Sequence, residues 1–299
     1  MVSESKTLAT MSERERPKML NIGCGRTHHP AWLNMDLEAM DPNVVEHDIT
    51  QGIPCPSDSL SAVYHSHILE HLKPEEGIDL LRECYRVLEP GGILRIVVPD
   101  LEKIAELYLK MHAQAWAGDR QSQEDYRWIK LELLDQLVRD CSGGRMGRYM
   151  ATADLKNSQF VRSRVGDEFW VCRSPDSSSP SQHRLGRRLG RLTERWREKF
   201  VRCVTRIFLG SDAVLAFDEG LFRSRGEIHR WMYDRFSLRD LCQQIGFDSF
   251  EVVTASTSKI EQFGDFELDS KENVVHKPDS LFIECRKNRM TGQANRRVA

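Results

Sequence analysis

The feature that most constrains the fold is a helix-to-strand junction between residues 74 and 98. Ile78, Leu81, Tyr85 and Leu88 recur at helical spacing, and Leu80, Cys84 and Val87 widen them into an apolar stripe. Pro74 suits a first helical turn, where a missing N–H costs little, and Glu75 and Glu76 suit the positive end of the helix dipole. Pro90-Gly91-Gly92 is expected to stop this helix. Ile93-Leu94-Arg95-Ile96-Val97-Val98 follows as a nearly continuous apolar run. Such a run suits a strand covered on both faces, the usual situation in a parallel sheet. Upstream, Met19–Ile22, Trp32–Asp36, Val44–Asp48 and Ser61–His65 are short strand candidates. Strands alternating with helices predict an α/β fold.

The 299 residues are 40% hydrophobic and 29% charged, enough apolar material for a sizeable core. Lys and Arg number 43 against 45 Asp and Glu, a net charge of -2, which disfavours a globally basic nucleic-acid binder. The eight cysteines form no C-x-x-C pair, so free thiols in a reducing, cytoplasmic setting are expected rather than a zinc knot or disulfide scaffold. The first twenty residues hold no apolar signal-peptide core, and no uncharged run reaches the length of a membrane span. No membrane partner is expected.

Residues 1–17 read as a leader, 18–109 and 237–287 as the core, 110–236 as a substrate-binding insert or lid, and 288–299 as a tail. Helices are expected from Leu101 to Leu109 and around 126–140. Within the insert, the Ser/Pro-rich stretch Ser174–Ser181 opens a segment, 174–206, expected to be flexible and basic. Ser237 is expected to cap a helix whose third position is Asp240, with Gly246 as its stop. Phe250–Val253 and Ser280–Cys285 read as closing strands.

Gly23-Cys24-Gly25 after the first strand lets a ligand approach the backbone closely. His28 stands where a dinucleotide-binding loop has its third glycine, which favours a nucleoside without phosphates over a pyrophosphate cofactor. Asp36 ends the second strand candidate, where an acid can accept from ribose hydroxyls, and Asp48 ends the third, where it suits an adenine amino group.

Leu20-Asn21-Ile22-Gly23-Cys24-Gly25, Asp36, Asp48-Ile49, His67-Ile68-Leu69-Glu70-His71-Leu72 and Arg86-Val87-Leu88-Glu89-Pro90-Gly91-Gly92-Ile93-Leu94 together resemble class I S-adenosylmethionine-dependent methyltransferases of the type 11 branch. The resemblance covers about residues 18–101, with weaker support from 237–287. It implies a Rossmann-like doubly wound, mostly parallel seven-stranded sheet with an antiparallel closing strand and a largely helical insert. It implies S-adenosyl-L-methionine as cofactor, with Gly23 and Gly25 under its methionine part, Asp36 at the ribose, Asp48 and Ile49 beside the adenine, and Ser66 and His67 on the sulfonium side. Asn21, Cys24 and Leu37 complete the implied cofactor-binding set. Thr27 stands where the family often has a small residue. The gap from Gly25 to Asp36 is short and contains Pro30, so the usual first helix is expected to be very short or replaced by a loop.

Tyr64 and His65 read as strand residues and His71 as structural. Without an H-E-x-x-H motif no metal site is expected. His229-Arg230-Trp231-Met232-Tyr233-Asp234 gathers ionisable and aromatic groups. His229 and Tyr233, four apart, would share a helical face and reach the acceptor together with His67, while Arg230 and Asp234 would pair on a neighbouring face. Phe169-Trp170 and Trp128 are core or lid aromatics. Arg187, Arg191 and Arg195 would align on one helix face within the basic stretch. The function expected is methyl transfer to an O or N atom of a small-molecule acceptor, with an oligomer allowed. The alternatives are an RNA-modifying methyltransferase using the basic insert, for which no recognised RNA-binding motif is present, and an inactive cofactor-binding or interaction protein.

Overall fold

In a computed structural model the described residues are 17–166, 168–173, 185–224 and 226–288, with the backbone alone described over 185–195. The chain divides into two units. The first holds residues up to Lys110, Arg162–Asp167 and Arg230 onward; the second holds Met111–Val161 and Glu168–His229. Two pieces of the expected insert, Arg162–Asp167 and the residues from Arg230 to 236, group with the first unit.

The first unit is built on a seven-stranded sheet, β1 (Met19–Ile22), β2 (Leu33–Asp36), β3 (Val44–Glu46), β4 (Leu60–Ser66), β5 (Leu88–Pro99), β6 (Phe247–Val253) and β9 (Ser280–Lys287). The order is β3-β2-β1-β4-β5-β9-β6. Neighbours from β3 to β5 run parallel, and β9 runs antiparallel to both β5 and β6. This is the expected Rossmann-like sheet with its antiparallel closing strand. A small hairpin, β7 (Ser270–Lys271) and β8 (Val274–Val275), precedes β9.

Helix α1 spans Pro74–Val87, with Pro74 at its start and Glu76 accepting from the Lys73 amide at 2.9 Å. The helix ends earlier than expected. Leu88 already pairs with Leu60 of β4, and pairing resumes at Ile93, so Glu89-Pro90-Gly91-Gly92 is an irregularity inside β5 and not the helix stop. A Cβ on Gly92 would sit 2.9 Å from the Glu89 carbonyl and 3.1 Å from that of Leu60, which is why this crowded position takes glycine.

Strand alternation splits the core in two. Leu20, Ile22, Val63, Leu94 and Ile96 face Leu81 and Cys84 of α1 and Leu238 and Cys242 of α9 (Arg235–Ile245). Ala62, Tyr64, Ile93 and Val97 face Trp32, Ala255, Ile260, Phe263 and Leu268, so loop and one short 3-10 turn (Phe263–Phe266) cover much of the second face. Arg95, the one charge in the apolar run, points to that second face and is fully buried. It donates to Asp269 Oδ2 at 2.7 Å, to Glu284 Oε1 at 2.7 Å and to the carbonyls of Thr254 and Thr257, and lies 4.4 Å over the Phe263 ring. Tyr64 donates to the other Asp269 oxygen at 2.6 Å. A buried charge is tolerable only when satisfied in this way.

Helix α9 corrects a second expectation. Its cap is Asp234, whose carboxylate accepts from the Ser237 amide at 2.8 Å, while the Ser237 hydroxyl accepts from the Asp234 amide. The motif is a capping box one turn earlier than the residues alone suggested, because the helix starts at Arg235 and so places Ser237 at N3, from which its hydroxyl reaches back to the Asp234 amide. Gly246, at φ 116°, closes the helix as expected.

Helix α2 (Leu101–Trp116) leads from the first unit into the second, which continues with α3 (Arg120–Val138), α4 (Gly144–Met150), α6 (Glu168–Arg173), α7 (Leu185–Leu209) and α8 (Ser211–Ser224); α5 (Ser158–Val165) straddles the division. Trp128 is buried and donates to Glu132 at 2.8 Å, Phe169 is buried, and Trp170 is exposed. The Asp135 carboxylate accepts from the amides of Arg145 and Met146 at the start of α4. Of the stretch expected to be flexible, 185–206 lies in α7; 174–184 lies outside the described residues, as do 1–16 of the expected leader and 289–299 of the tail.

Candidate active site

No helix joins β1 to β2; residues 23–32 are a loop, as the short gap and Pro30 implied. Two buried asparagines replace the helix by satisfying the loop's carbonyls. Asn21 donates to Thr27 O and to Asn34 Oδ1, both at 3.1 Å, and Asn34 donates to the carbonyls of His29 and Trp32. The paired asparagines on adjacent strands were the sequence signal for this device, and Asn34 went unread.

The loop begins with Gly23 and Gly25 in left-handed conformation, φ 63° and 53°. The amides of Gly23 and Cys24 donate to Met35 O, tying the turn to the end of β2. The Gly25 amide donates to Asp36 Oδ2 at 2.8 Å, and the Glu38 amide donates to Oδ1 at 3.2 Å. A carboxylate has about four acceptor positions, so Asp36 retains capacity for two further donors. A Cβ on Gly25 would meet nothing within 4 Å, so the turn opens onto free space. Cys24 is buried beside it, and burial followed by the Asp36 charge pushes its thiol up to about 12, leaving it un-ionised. Leu37, 65% exposed, continues the same edge.

Asp48 is exposed and caps the short 3-10 turn Ile49–Gln51, accepting from the Thr50 amide and hydroxyl; these bonds, the hydroxyl foremost, hold its carboxyl below the usual range. Ile49 is half-buried against the core.

At the end of β4, Ser66 pairs with Val97 and is half-buried. His67 follows with φ 55°, its amide donating to Val97 O. Its Nδ1 lies 3.0 Å from Glu70 Oε1, and its Nε2 lies 2.8 Å from Ser280 Oγ. Glu70 is fully buried, and its carbonyl accepts from the amides of Arg230 and Trp231. Ser280 opens β9 opposite Pro99, where β5 ends. Ser280, His67 and Glu70 therefore line up at the carboxyl edge of the parallel strands, the side on which open α/β sheets bind ligands. Ser280 was not among the expected site residues because 213 positions separate it from His67, and Glu70, three positions from His67, was not because its burial is not encoded in the local motif.

The expected helical turn at 229–233 does not form; residues 227–232 are bends and irregular chain and Tyr233 forms an isolated bridge with Asp100, so His229 and Tyr233 share no helical face, and Asp234 serves the α9 cap. His229 belongs to the second unit, buried, with its amide donating to Gln136 O. Tyr233 belongs to the first, inside the core against Gly77 of α1. Burial, then the charge of Glu70, raises its phenol to about 12, which makes it no base at neutral pH.

Residues 20–96 match a family model described as a methyltransferase domain. With the sheet order, this match makes the class plain: the first unit carries a class I, S-adenosylmethionine-dependent methyltransferase domain of the type 11 branch. Among solved structures, the chain is similar to a SAM-dependent methyltransferase from Archaeoglobus fulgidus, at 12% identity and TM-score 0.37 over 91% of this chain and 87% of that one. A methyltransferase from Mesorhizobium loti aligns at 14% identity and TM-score 0.32 over 93% and 94%, and one from Thermotoga maritima at 12% and 0.36 over 90% and 82%. No curated protein matches the chain.

Proposed function

We propose that this enzyme moves a methyl group from S-adenosylmethionine to an O or N atom of a small-molecule acceptor, and that Ser280, His67 and Glu70 handle the acceptor's proton. The observation that carries this reading is the left-handed Gly23–Gly25 turn, packed under Ile68 at Gly23 and open at Gly25, with the Asp36 carboxylate held against it. The residues present fit the cofactor. Gly25 leaves room above the turn, Asp36 keeps acceptor capacity for ribose hydroxyls, and exposed Leu37 offers an apolar surface to adenine. Ile49 and Ser66 belong to the same binding edge. Asp48, engaged with Thr50 through Oδ1, is assigned to the adenine amino group. When bound, the cofactor supplies an electrophilic methyl on a sulfonium.

His67 and its neighbours act as a unit. With its Nδ1 3.0 Å from the Glu70 carboxylate, which favours a proton on that nitrogen, His67 takes up the tautomer whose Nε2 accepts from the Ser280 hydroxyl. An acceptor O–H or N–H gives its proton to Ser280 Oγ while Ser280 passes its own to His67 Nε2, and the imidazolium stays paired with Glu70. Glu70 is a positioning residue, buried so that solvent does not screen its charge. His229 and Tyr233, proposed on sequence grounds as acceptor-side residues, find less support: no shared face joins them and Tyr233 stands in the core.

Calorimetry with S-adenosylmethionine, S-adenosylhomocysteine and NAD tests the cofactor assignment. Binding of both sulfur nucleosides in preference to NAD is expected; NAD binding with neither of them would overturn it. Histidine-selective ¹⁵N NMR tests the proton path: a single Nδ1–H tautomer for His67 is expected, lost in Glu70→Gln. An unchanged His67 tautomer in that variant removes Glu70 from the path.

A further inference from the structure

Helix α7 is mounted with its polar side inward. Its half-buried residues are Glu198, Arg202, Val204 and Thr205; the three polar ones lie together on one side, Val204 lies at its margin, and Arg202 donates to Asp218 of α8 at 2.6 Å. The opposite side displays Trp196, Phe200, Cys203 and Ile207, all exposed; Trp196, Phe200 and Ile207 are each 70% exposed or more. Spacings of four, three and four place these side chains within about 60° of arc on an α-helix. Phe208 and Leu209, also exposed at the helix end, lie off this arc. Lys199 and Arg206 flank the stripe on one side and Arg197 on the other, all three exposed.

We infer that α7 is an interfacial helix that docks this enzyme onto an anionic lipid surface. A row of aromatic and aliphatic side chains bordered by cations is the pattern of helices that lie in the plane of a membrane interface. The long stems of Lys199, Arg206 and Arg197 can follow the apolar stripe into the interface while their charges reach lipid phosphates. The helix lies on the membrane and does not cross it: no helix of the described residues is long and apolar enough to span one. A second copy of the chain is a poorer occupant, since pairing two stripes would bring the cations of both copies together along the seam. An RNA backbone has no use for the aliphatic part of the stripe, because its phosphates call for donors and its bases for aromatic faces.

The test uses the full chain in flotation assays with phosphatidylcholine vesicles, with and without phosphatidylserine. The protein should float with the anionic vesicles, weakly with the neutral ones, and be released by high salt. Phe200→Glu combined with Ile207→Glu should lower the anionic partition coefficient by at least about tenfold, and Lys199→Glu by about fivefold. On the wild-type protein, anionic vesicles should slow labelling of Cys203 by a membrane-impermeant maleimide, with peptide mapping to separate Cys203 from the other thiols. Retained thermal melting checks that the variants fold. Wild-type protein that stays unfloated, full binding by the Phe200/Ile207 variant, or unprotected Cys203 each overturns the proposal. So does light scattering that shows a dimer broken by the stripe substitutions, or binding of homopolymer RNA in place of vesicles.

Discussion

At the scale of single residues, the proposed cofactor edge rests on one carboxylate and one glycine. Asp36→Ala removes the acceptor of the Gly25 amide bond and the proposed ribose acceptor together. It should weaken S-adenosylmethionine binding by about 1–3 kcal/mol, the range for hydrogen bonds to a charged group; calorimetry reads it, and an unchanged Kd removes Asp36 from the site. Gly25→Ala places a Cβ in the open space of the turn and holds an L-residue at φ 53°, which costs about 1–2 kcal/mol of stability. Its loss of cofactor affinity should exceed that of Gly52→Ala, which also stands at positive φ but outside the turn. Asp36 was legible because an acid ending a strand beside a G-x-G turn is a local pattern. Glu70 was hidden because its meaning comes from His67 and from the burial around it, neither of which a motif encodes.

At the scale of elements, caps and buried charges decide stability. Asp234→Ala should cost about 1 kcal/mol by removing the α9 N-cap, while Ser237→Ala should cost less because the Asp234 carboxylate still accepts from the residue 237 amide. Urea unfolding of the two variants checks the order. Arg95→Leu leaves Asp269 and Glu284 buried without their cation and should cost about 3–5 kcal/mol; a loss under 1 kcal/mol would show that the acids find other partners. The α1 periodicity was strong enough to place its start, but not its end. The strand pairing of Leu88 with Leu60 competes with the last helical turn, and only the neighbouring strand decides that competition.

At the scale of the whole molecule, acid sensitivity follows from one buried imidazole. His65 sits on β4 with no exposure and neither ring nitrogen hydrogen-bonded, and burial lowers its pKa to about 4, against a weaker opposing pull from Glu70. An unfolded histidine titrates near about 6.5. Between these values the unfolded chain binds a proton that the folded one refuses, so stability falls as pH drops from about 6.5 to about 4, by up to roughly 3 kcal/mol. Urea unfolding across that window should show a steeper loss for wild type than for His65→Leu; parallel profiles would assign the acid sensitivity to other groups. The α/β class, the glycine turn, the strand-ending position of Asp36 and the closing strands can be read from the residues alone, because each rests on contacts within a few residues or on a local periodicity. Long-range packing satisfies Arg95 with Asp269 and Glu284, leaves residues 229–233 without a helix and sets Ser280 against His67. Those outcomes depend on which distant groups burial brings within hydrogen-bonding reach, and that is a property of packing rather than of spacing along the chain.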